Sequence, residues 1–259
     1  MRRLISFLYG VAAYAAGLAA LLYFIGFSAN LIVPRSVDIG PAAPWPTALG
    51  VDLLLIALFG VQHSVMARRG FKRWWSRLVP EAVERSTYLV ATTIVLTLLF
   101  LFWRPIPAPL LWKVDGGAGA VLLWGLFGLG CVLVLLSSFL INHFELFGLQ
   151  QVYARLTQRP MPAAEFRTPL LYRHVRHPLY FGLLLSLWAV PVMSAGRALF
   201  ALGLSAYILI GIVFEERDLV RQFGERYRSY QRRVGMLIPR MAPSESAPCE
   251  EPSAKTHTR

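Results

Sequence analysis

The chain has 259 residues; 56% are hydrophobic, only 15% are charged, and 26 Lys and Arg against 14 Asp and Glu give a formal net charge of +12. Soluble domains carry roughly 25% charged residues, so this composition excludes a soluble globular enzyme, a disordered chain and a disulfide scaffold. The two cysteines, Cys131 and Cys249, have no metal-type spacing, so no metal site is predicted. The arginines lie between apolar runs, so nucleic acid is not a predicted partner.

Apolar runs near the length needed to cross a bilayer, about 20 residues each, follow one another along most of the chain. They predict an all-α, polytopic transmembrane helical bundle with spans at about 4–33, 46–67, 86–103, 118–141, 179–193 and 197–214. The last apolar region is divided by Pro191 and by a Ser-Ala-Gly-Arg turn at 194–197. One long kinked helix there would give five spans instead of six.

Arginine-rich and arginine-poor connections alternate along the chain, and this pattern predicts the orientation. Segments 68–85, 155–176 and 217–240 are rich in Arg, whereas the connections between them are poor. By the positive-inside rule the rich segments and both termini are cytoplasmic, and only six spans keep this alternation. We therefore expect an integral protein of a bacterial-type inner (cytoplasmic) membrane.

The predicted domain organisation is simple. Residues 1–240 form one membrane domain whose cytoplasmic segments, 142–178 and 215–240, are expected to carry the cofactor-binding residues. The polar residues 241–259 are expected to be a disordered tail. The sequence does not indicate an oligomeric state.

Polar residues inside apolar spans are rare and default to functional hypotheses. The predicted spans bring several of them to one depth, the cytoplasmic edge of the bilayer: His63, Tyr88, Asn142, His143, His177, Tyr180, Glu215 and Glu216. Taken alone, each has an ordinary explanation, as a helix-end or interfacial residue or, for the two glutamates, as a partner of nearby arginines. Their common depth favours a site. Asp38, Asp115 and Arg104, near the opposite edge, are expected to be solvated.

Three motifs follow in order over the last 75 residues of the membrane domain. They are Arg176-His177-Pro178-x-Tyr180-x-Gly182, Glu215-Glu216-x-x-Leu219 and Phe223-Gly224-x-x-Tyr227-x-x-Tyr230. This ordered set resembles the membrane methyltransferases of the isoprenylcysteine carboxyl methyltransferase and phospholipid methyltransferase type. The resemblance implies S-adenosyl-L-methionine bound on the cytoplasmic side. It also implies a set of cofactor-binding candidates: Phe166, Arg167, Tyr172, Arg176, His177, Tyr180, Glu215 and Glu216.

Earlier segments extend the resemblance to about residues 5–240. Gln62-His63-Ser64, the run from Glu84 to Tyr88 and the run from Asn142 to Leu149 are similar to the methanethiol S-methyltransferase group, among the NnrU-like relatives of that family. This similarity implies a small thiol substrate, methanethiol, that is methylated to dimethyl sulfide, with S-adenosyl-L-homocysteine as the other product.

Thiol methylation sets a chemical requirement, because the thiolate and not the thiol is the nucleophile. His143 and His63 are the candidate bases, since an imidazole titrates near neutrality. Asn142 and Tyr88 are candidates for orienting the base or the sulfur. Three alternatives remain open: methylation of an isoprenoid or lipid acceptor, an NADPH-dependent membrane reductase, and a non-catalytic membrane protein.

Overall fold

The computed structural model describes residues 1–162 and 166–240, so the predicted tail at 241–259 lies outside the described residues. The described helices, in chain order, are α1 (Arg2–Ala29), α2 (Trp45–Ala67), α3 (Arg69–Trp75), α4 (Glu81–Phe102), α5 (Gly117–Ile141), α6 (His143–Leu146), α7 (Leu149–Thr157), α8 (Pro178–Trp188), α9 (Ala195–Phe223) and α10 (Glu225–Arg233). Two short strands, β1 (Leu110–Lys113) and β2 (Val192–Ser194), pair antiparallel.

The predicted all-α membrane bundle is confirmed. In the described part of the chain, α1, α2, α4, α5 and α9 are each long and apolar enough to cross a membrane. The helix α8 is apolar but has only 11 residues. It ends at Trp188 instead of continuing to 193, because Pro191 follows and Val192–Ser194 pairs with β1.

The last long helix continues further than predicted. The predicted span ended at 214, but α9 runs to Phe223 and ends where Gly224 adopts a φ of 58°. A positive φ is the conformation that glycine adopts without steric cost, and no Gly or Pro interrupts the helix between 212 and 223. Glu215 and Glu216 therefore lie on a helix, not in a connection after it.

The long segments run back and forth between two faces of the bundle. At one face, which we call the outer face after the predicted orientation, the Trp103 indole donates to the Val37 carbonyl at 3.0 Å. At the opposite, inner face, Lys72 lies 3.4 Å from Glu84 and the backbone N–H of Arg176 donates to the carbonyl of Gly235. Since α8 begins at the inner face and β2 lies at the outer one, residues 178–194 connect the two faces. Six crossings and cytoplasmic termini remain predictions.

The expectation that Asp38 is solvated is wrong. The Asp38 carboxylate binds the buried guanidinium of Arg197 at 3.1 Å and accepts a hydrogen bond from Ser194. The backbone N–H of Arg104 donates to the buried Asp52 carboxylate at 2.9 Å. These contacts fix the outer ends of α2, α4 and α9, because buried charges need partners.

Two glycines let α5 and α8 cross in backbone contact. A Cβ atom added to Gly130 would lie 2.6 Å from the Gly182 carbonyl oxygen, and one added to Gly182 would lie 2.7 Å from that of Gly130. Small residues at such crossings are the usual means of close helix packing in membranes. Gly182, the last residue of the first motif, therefore sets the distance between α8 and α5.

We predict that Gly130→Ala lowers stability by about 1–3 kcal/mol, because the new methyl group overpacks the crossing and both contacts are backbone atoms. Thermal unfolding in detergent, followed by tryptophan fluorescence, measures the change. Gly128→Ala is the matched control on the same helix, since nothing lies within 4 Å of its added Cβ. Equal melting temperatures for the two variants would contradict this account of the crossing.

Candidate active site

A cluster of rings and one carboxylate lies where α2, α4, α8 and α9 approach the inner face. We call it the aromatic–carboxylate cluster; its members are Phe59, His63, Tyr88, Tyr180, Tyr207 and Glu215. The His63 ring centroid lies 5.0 Å from that of Tyr88, 5.3 Å from that of Phe59 and 5.9 Å from that of Tyr207. The sequence-predicted residues His63, Tyr88, Tyr180 and Glu215 are thus brought together.

His63 is held through one ring nitrogen. Its Nδ1 lies 3.3 Å from the Thr92 hydroxyl, which also accepts a hydrogen bond from the Gln62 amide at 3.4 Å. The Tyr88 hydroxyl donates to the His63 backbone carbonyl at 3.3 Å. Among the described residues, none forms a hydrogen bond with His63 Nε2. The second nitrogen is therefore free to accept a proton whenever Nδ1 carries the ring hydrogen.

The two adjacent glutamates are in different surroundings. Glu215 accepts one hydrogen bond, from the Tyr180 hydroxyl at 2.7 Å. In the described residues its other carboxylate oxygen has no protein partner. Glu215 can therefore bind a further positively charged or hydroxyl-bearing group.

Glu216 is fully engaged within the protein. Its Oε1 accepts from Arg176 Nε at 2.6 Å and lies 3.1 Å from His177 Nε2, and its Oε2 accepts from the Gln231 amide at 2.9 Å. The Arg176 guanidinium also donates to the backbone carbonyls of Gln231 and Val234. This Glu216 network therefore holds together α9, α10 and the segment before α8.

His143 lies in a separate cluster with α1. Its Nε2 is 2.9 Å from the Tyr14 hydroxyl and its Nδ1 is 2.9 Å from the Ser138 hydroxyl, while its ring stacks on Phe139 at 4.2 Å. Burial lowers the pKa of His143. Both nitrogens are occupied, so the structure separates His143 from His63.

Asn142 also serves local structure. Its Oδ1 accepts the backbone N–H of Glu145 as the N-cap of α6, and its Nδ2 donates to the Glu145 carboxylate at 2.9 Å and to Gln150 Oε1 at 2.6 Å. Side chains that accept from the first turn in this way stabilise a helix start. No described contact connects Asn142 with the aromatic–carboxylate cluster.

The remaining cofactor candidates line the inner end of α9 and α10. The Phe166 ring packs on Phe223, Tyr227 and Tyr230 at centroid distances of 5.3–5.7 Å. The Tyr230 hydroxyl donates to the Tyr172 carbonyl, and burial raises the pKa of the Tyr172 hydroxyl above its ordinary range. Arg167, beside Phe166, is exposed.

Three residues of the site were not predicted from the sequence. They are Tyr207, a member of the cluster, and Thr92 and Arg68, which lie beside it. The Arg68 guanidinium lies 3.5 Å from Asp218 and 4.7 Å from the Phe214 ring centroid. It is also near enough to Tyr88 and Tyr207 to interact electrostatically with both. Tyr207 could have been found from its spacing, because it precedes Glu215 by eight residues, about two helical turns.

The chain is similar to known proteins along most of its length. A family model described as a protein of unknown function (DUF1295) matches residues 109–234. The methanethiol S-methyltransferase of Mycobacterium tuberculosis (strain H37Rv) is 50% identical over 239 residues, covering 92% of this chain and 98% of that protein. Methanethiol S-methyltransferase 2 of Bradyrhizobium diazoefficiens is 48% identical over 239 residues, covering 92% of each.

A more distant similarity extends to a mammalian protein. Nurim from Sus scrofa is 33% identical over 178 residues, covering 66% of this chain and 68% of nurim. No solved structure matches the chain. The identity and coverage shared with the bacterial relatives decide the classification: the chain belongs to the methanethiol S-methyltransferase family.

Proposed function

We propose that this protein transfers a methyl group from S-adenosyl-L-methionine to methanethiol, forming dimethyl sulfide and S-adenosyl-L-homocysteine. The observation that carries the proposal is the 50% identity with a methanethiol S-methyltransferase along 98% of that relative's length. The reaction takes place in the aromatic–carboxylate cluster. With the inner face toward the cytoplasm of a bacterial cell, the cluster lies on the side from which a cytoplasmic cofactor arrives.

The residues of the cluster suit this cofactor. S-adenosylmethionine supplies an electrophilic methyl group on a sulfonium, and it carries an ammonium and two ribose hydroxyls. Aromatic faces attract cations, and Tyr88, Tyr180 and Tyr207 lie close enough together to interact electrostatically. The open oxygen of Glu215 accepts an ammonium or a ribose hydroxyl. Glu216 instead holds the surrounding structure in place.

His63 is the base in this proposal. Its Nε2 has no protein partner among the described residues, whereas both nitrogens of His143 are hydrogen-bonded at 2.9 Å. With Nδ1 donating to Thr92, the Nε2 lone pair takes the proton of the thiol. General bases placed in this way contribute typically 10²–10⁴-fold to a rate.

Arg68 and Tyr207 are positioning residues for the thiolate. The Arg68 guanidinium is close to Tyr88 and Tyr207, so it attracts a negative sulfur formed beside His63. The pair with Asp218 at 3.5 Å holds the guanidinium in that place. A nearby cation lowers the pKa of a thiol and so raises the fraction of thiolate.

We predict that His63→Ala lowers kcat/KM by about 10²-fold or more at neutral pH, because it removes the imidazole that takes the thiol proton. The loss should shrink as the pH rises, since methanethiol then ionises in solution. Headspace gas chromatography of dimethyl sulfide, from purified protein with S-adenosylmethionine and methanethiol, measures both effects.

His143→Ala is the matched control for this experiment. It removes a buried imidazole that bridges Tyr14 and Ser138, so we expect lower thermal stability and a pH profile of unchanged shape. Wild-type turnover by His63→Ala, with the pH dependence moved to His143→Ala, would contradict the assignment. Absence of dimethyl sulfide from the folded wild-type protein would contradict the proposed reaction.

We predict that neutralising the two adjacent glutamates affects different properties, stability for Glu216 and cofactor affinity for Glu215. Glu216→Gln leaves the buried Arg176 guanidinium without its carboxylate, which costs about 3 kcal/mol and lowers the melting temperature. Glu215→Gln keeps an acceptor for Tyr180, so its stability changes by less than about 0.5 kcal/mol. Its affinity for S-adenosylhomocysteine, measured by calorimetry, should fall about tenfold, the value of one charged hydrogen bond. Normal affinity in Glu215→Gln would exclude this carboxylate from the cofactor site.

A further inference from the structure

A second cavity lies at the inner face, apart from the aromatic–carboxylate cluster. It has a volume of about 1180 Å³, is open to solvent, and is lined by the first residues of α1, by α3, by the start of α4, by α6, by α7 and by residues 158–162. No member of the aromatic–carboxylate cluster lines it. Its volume is comparable to that of ligand pockets in general.

The lining of this cavity is strongly basic. Six of its residues are cationic, namely Arg2, Arg3, Lys72, Arg85, Arg155 and Arg159, and three are acidic, namely Glu81, Glu84 and Glu145. Six minus three leaves an excess of three positive charges around one space. Such a concentration of like charge favours an anion.

The arginines of the lining have no ion-pair partner among the described residues. The side chains of Arg2, Arg3, Arg85, Arg155 and Arg159 form no ion pair or hydrogen bond within residues 1–162 and 166–240. Two of the acids are already used, because Glu84 pairs with Lys72 at 3.4 Å and Glu145 accepts from Asn142 at 2.9 Å. Burial and, to a smaller extent, the nearby Arg85 guanidinium lower the pKa of Lys72, while its ion pair with Glu84 acts in the opposite direction.

The surroundings of the cavity place it at the boundary between membrane and water. The helix α3 carries Phe71, Trp74 and Trp75 with ring centroids within 5.7 Å of one another, a composition typical of the headgroup level. On α1, directly after Arg2 and Arg3, a strip of aliphatic side chains is more than half exposed: Leu4 at 52%, Ile5 at 63% and Leu8 at 57%. An anion bound between the arginines therefore lies beside an apolar surface.

We propose that this cavity binds the phosphate headgroup of an anionic phospholipid, whose acyl chains lie along the exposed strip of α1. Guanidinium groups bind phosphate oxygens in bidentate geometry. A small phosphate ion would satisfy the arginines and leave the aliphatic strip uncovered, whereas a phospholipid covers both. The bound lipid fixes the start of α1 against α4 and α7.

Native mass spectrometry of the full-length protein in detergent, titrated with phosphatidylglycerol or phosphatidylcholine, tests this proposal. We expect saturable binding of one phosphatidylglycerol and at least about tenfold weaker binding of phosphatidylcholine. In Arg155→Gln/Arg159→Gln the affinity for phosphatidylglycerol should fall about tenfold or more, since each arginine near an anionic lipid contributes substantially. Melting temperatures of the lipid-free variants confirm that each is folded.

The matched control is Arg73→Gln/Arg77→Gln, which removes the same charge from the same face outside the cavity lining. It should bind phosphatidylglycerol within about twofold of the wild type. Equal losses in both double variants would overturn the proposal in favour of unspecific attraction to the basic face. Competition by millimolar inorganic phosphate as strong as that by the lipid would also overturn it, in favour of a free-anion site. Both readouts are independent of methyl transfer.

Discussion

The carboxylate of Glu216 is the interaction on which the arrangement of the inner face depends. It binds Arg176 and His177 before α8 and Gln231 on α10, so one side chain on α9 joins α10 to a segment about 40 residues earlier in the chain. A buried guanidinium is costly without such a partner. Because Glu215 is the next residue on the same helix, the network also fixes where that second carboxylate meets the ring of Tyr180. The Glu216 network and the unpartnered oxygen of Glu215 therefore belong to adjacent residues of α9.

Helix packing then determines which polar residues share a site. The crossing of Gly130 and Gly182 sets α8 against α5, so Tyr180 is directed toward α2 and α9. His63 and Tyr88 reach the same place from α2 and α4. His143 is at a similar level but packs with Tyr14 of α1, in a second cluster where both of its ring nitrogens are hydrogen-bonded. A similar depth is therefore not enough to place a residue in the site. The lateral position of its helix in the bundle decides which residues come together.

Much of the fold could be predicted from the sequence because apolar runs and arginine-rich connections have strong physical causes. The long helices α1, α2, α4 and α5 each begin or end within a few residues of a predicted span. The helix α9 extends beyond its predicted span because no helix-breaking residue precedes Gly224. The separation of His63 from His143, and the different duties of Glu215 and Glu216, depend on which helix faces meet. Helical periodicity alone does not contain that information. Tyr207 could be predicted in part. The sequence shows its helical spacing from Glu215 but does not show that its ring contacts His63.

Trideuteromethyl-labelled S-adenosylmethionine, supplied with unlabelled methanethiol to the purified protein, tests the central claim most directly. Mass spectrometry of the headspace should show dimethyl sulfide carrying one trideuterated methyl group, made in proportion to enzyme. Unlabelled dimethyl sulfide would contradict S-adenosylmethionine as the methyl donor. Label in lipid extracts, with none in the headspace, would contradict the thiol as acceptor and favour methylation of a lipid.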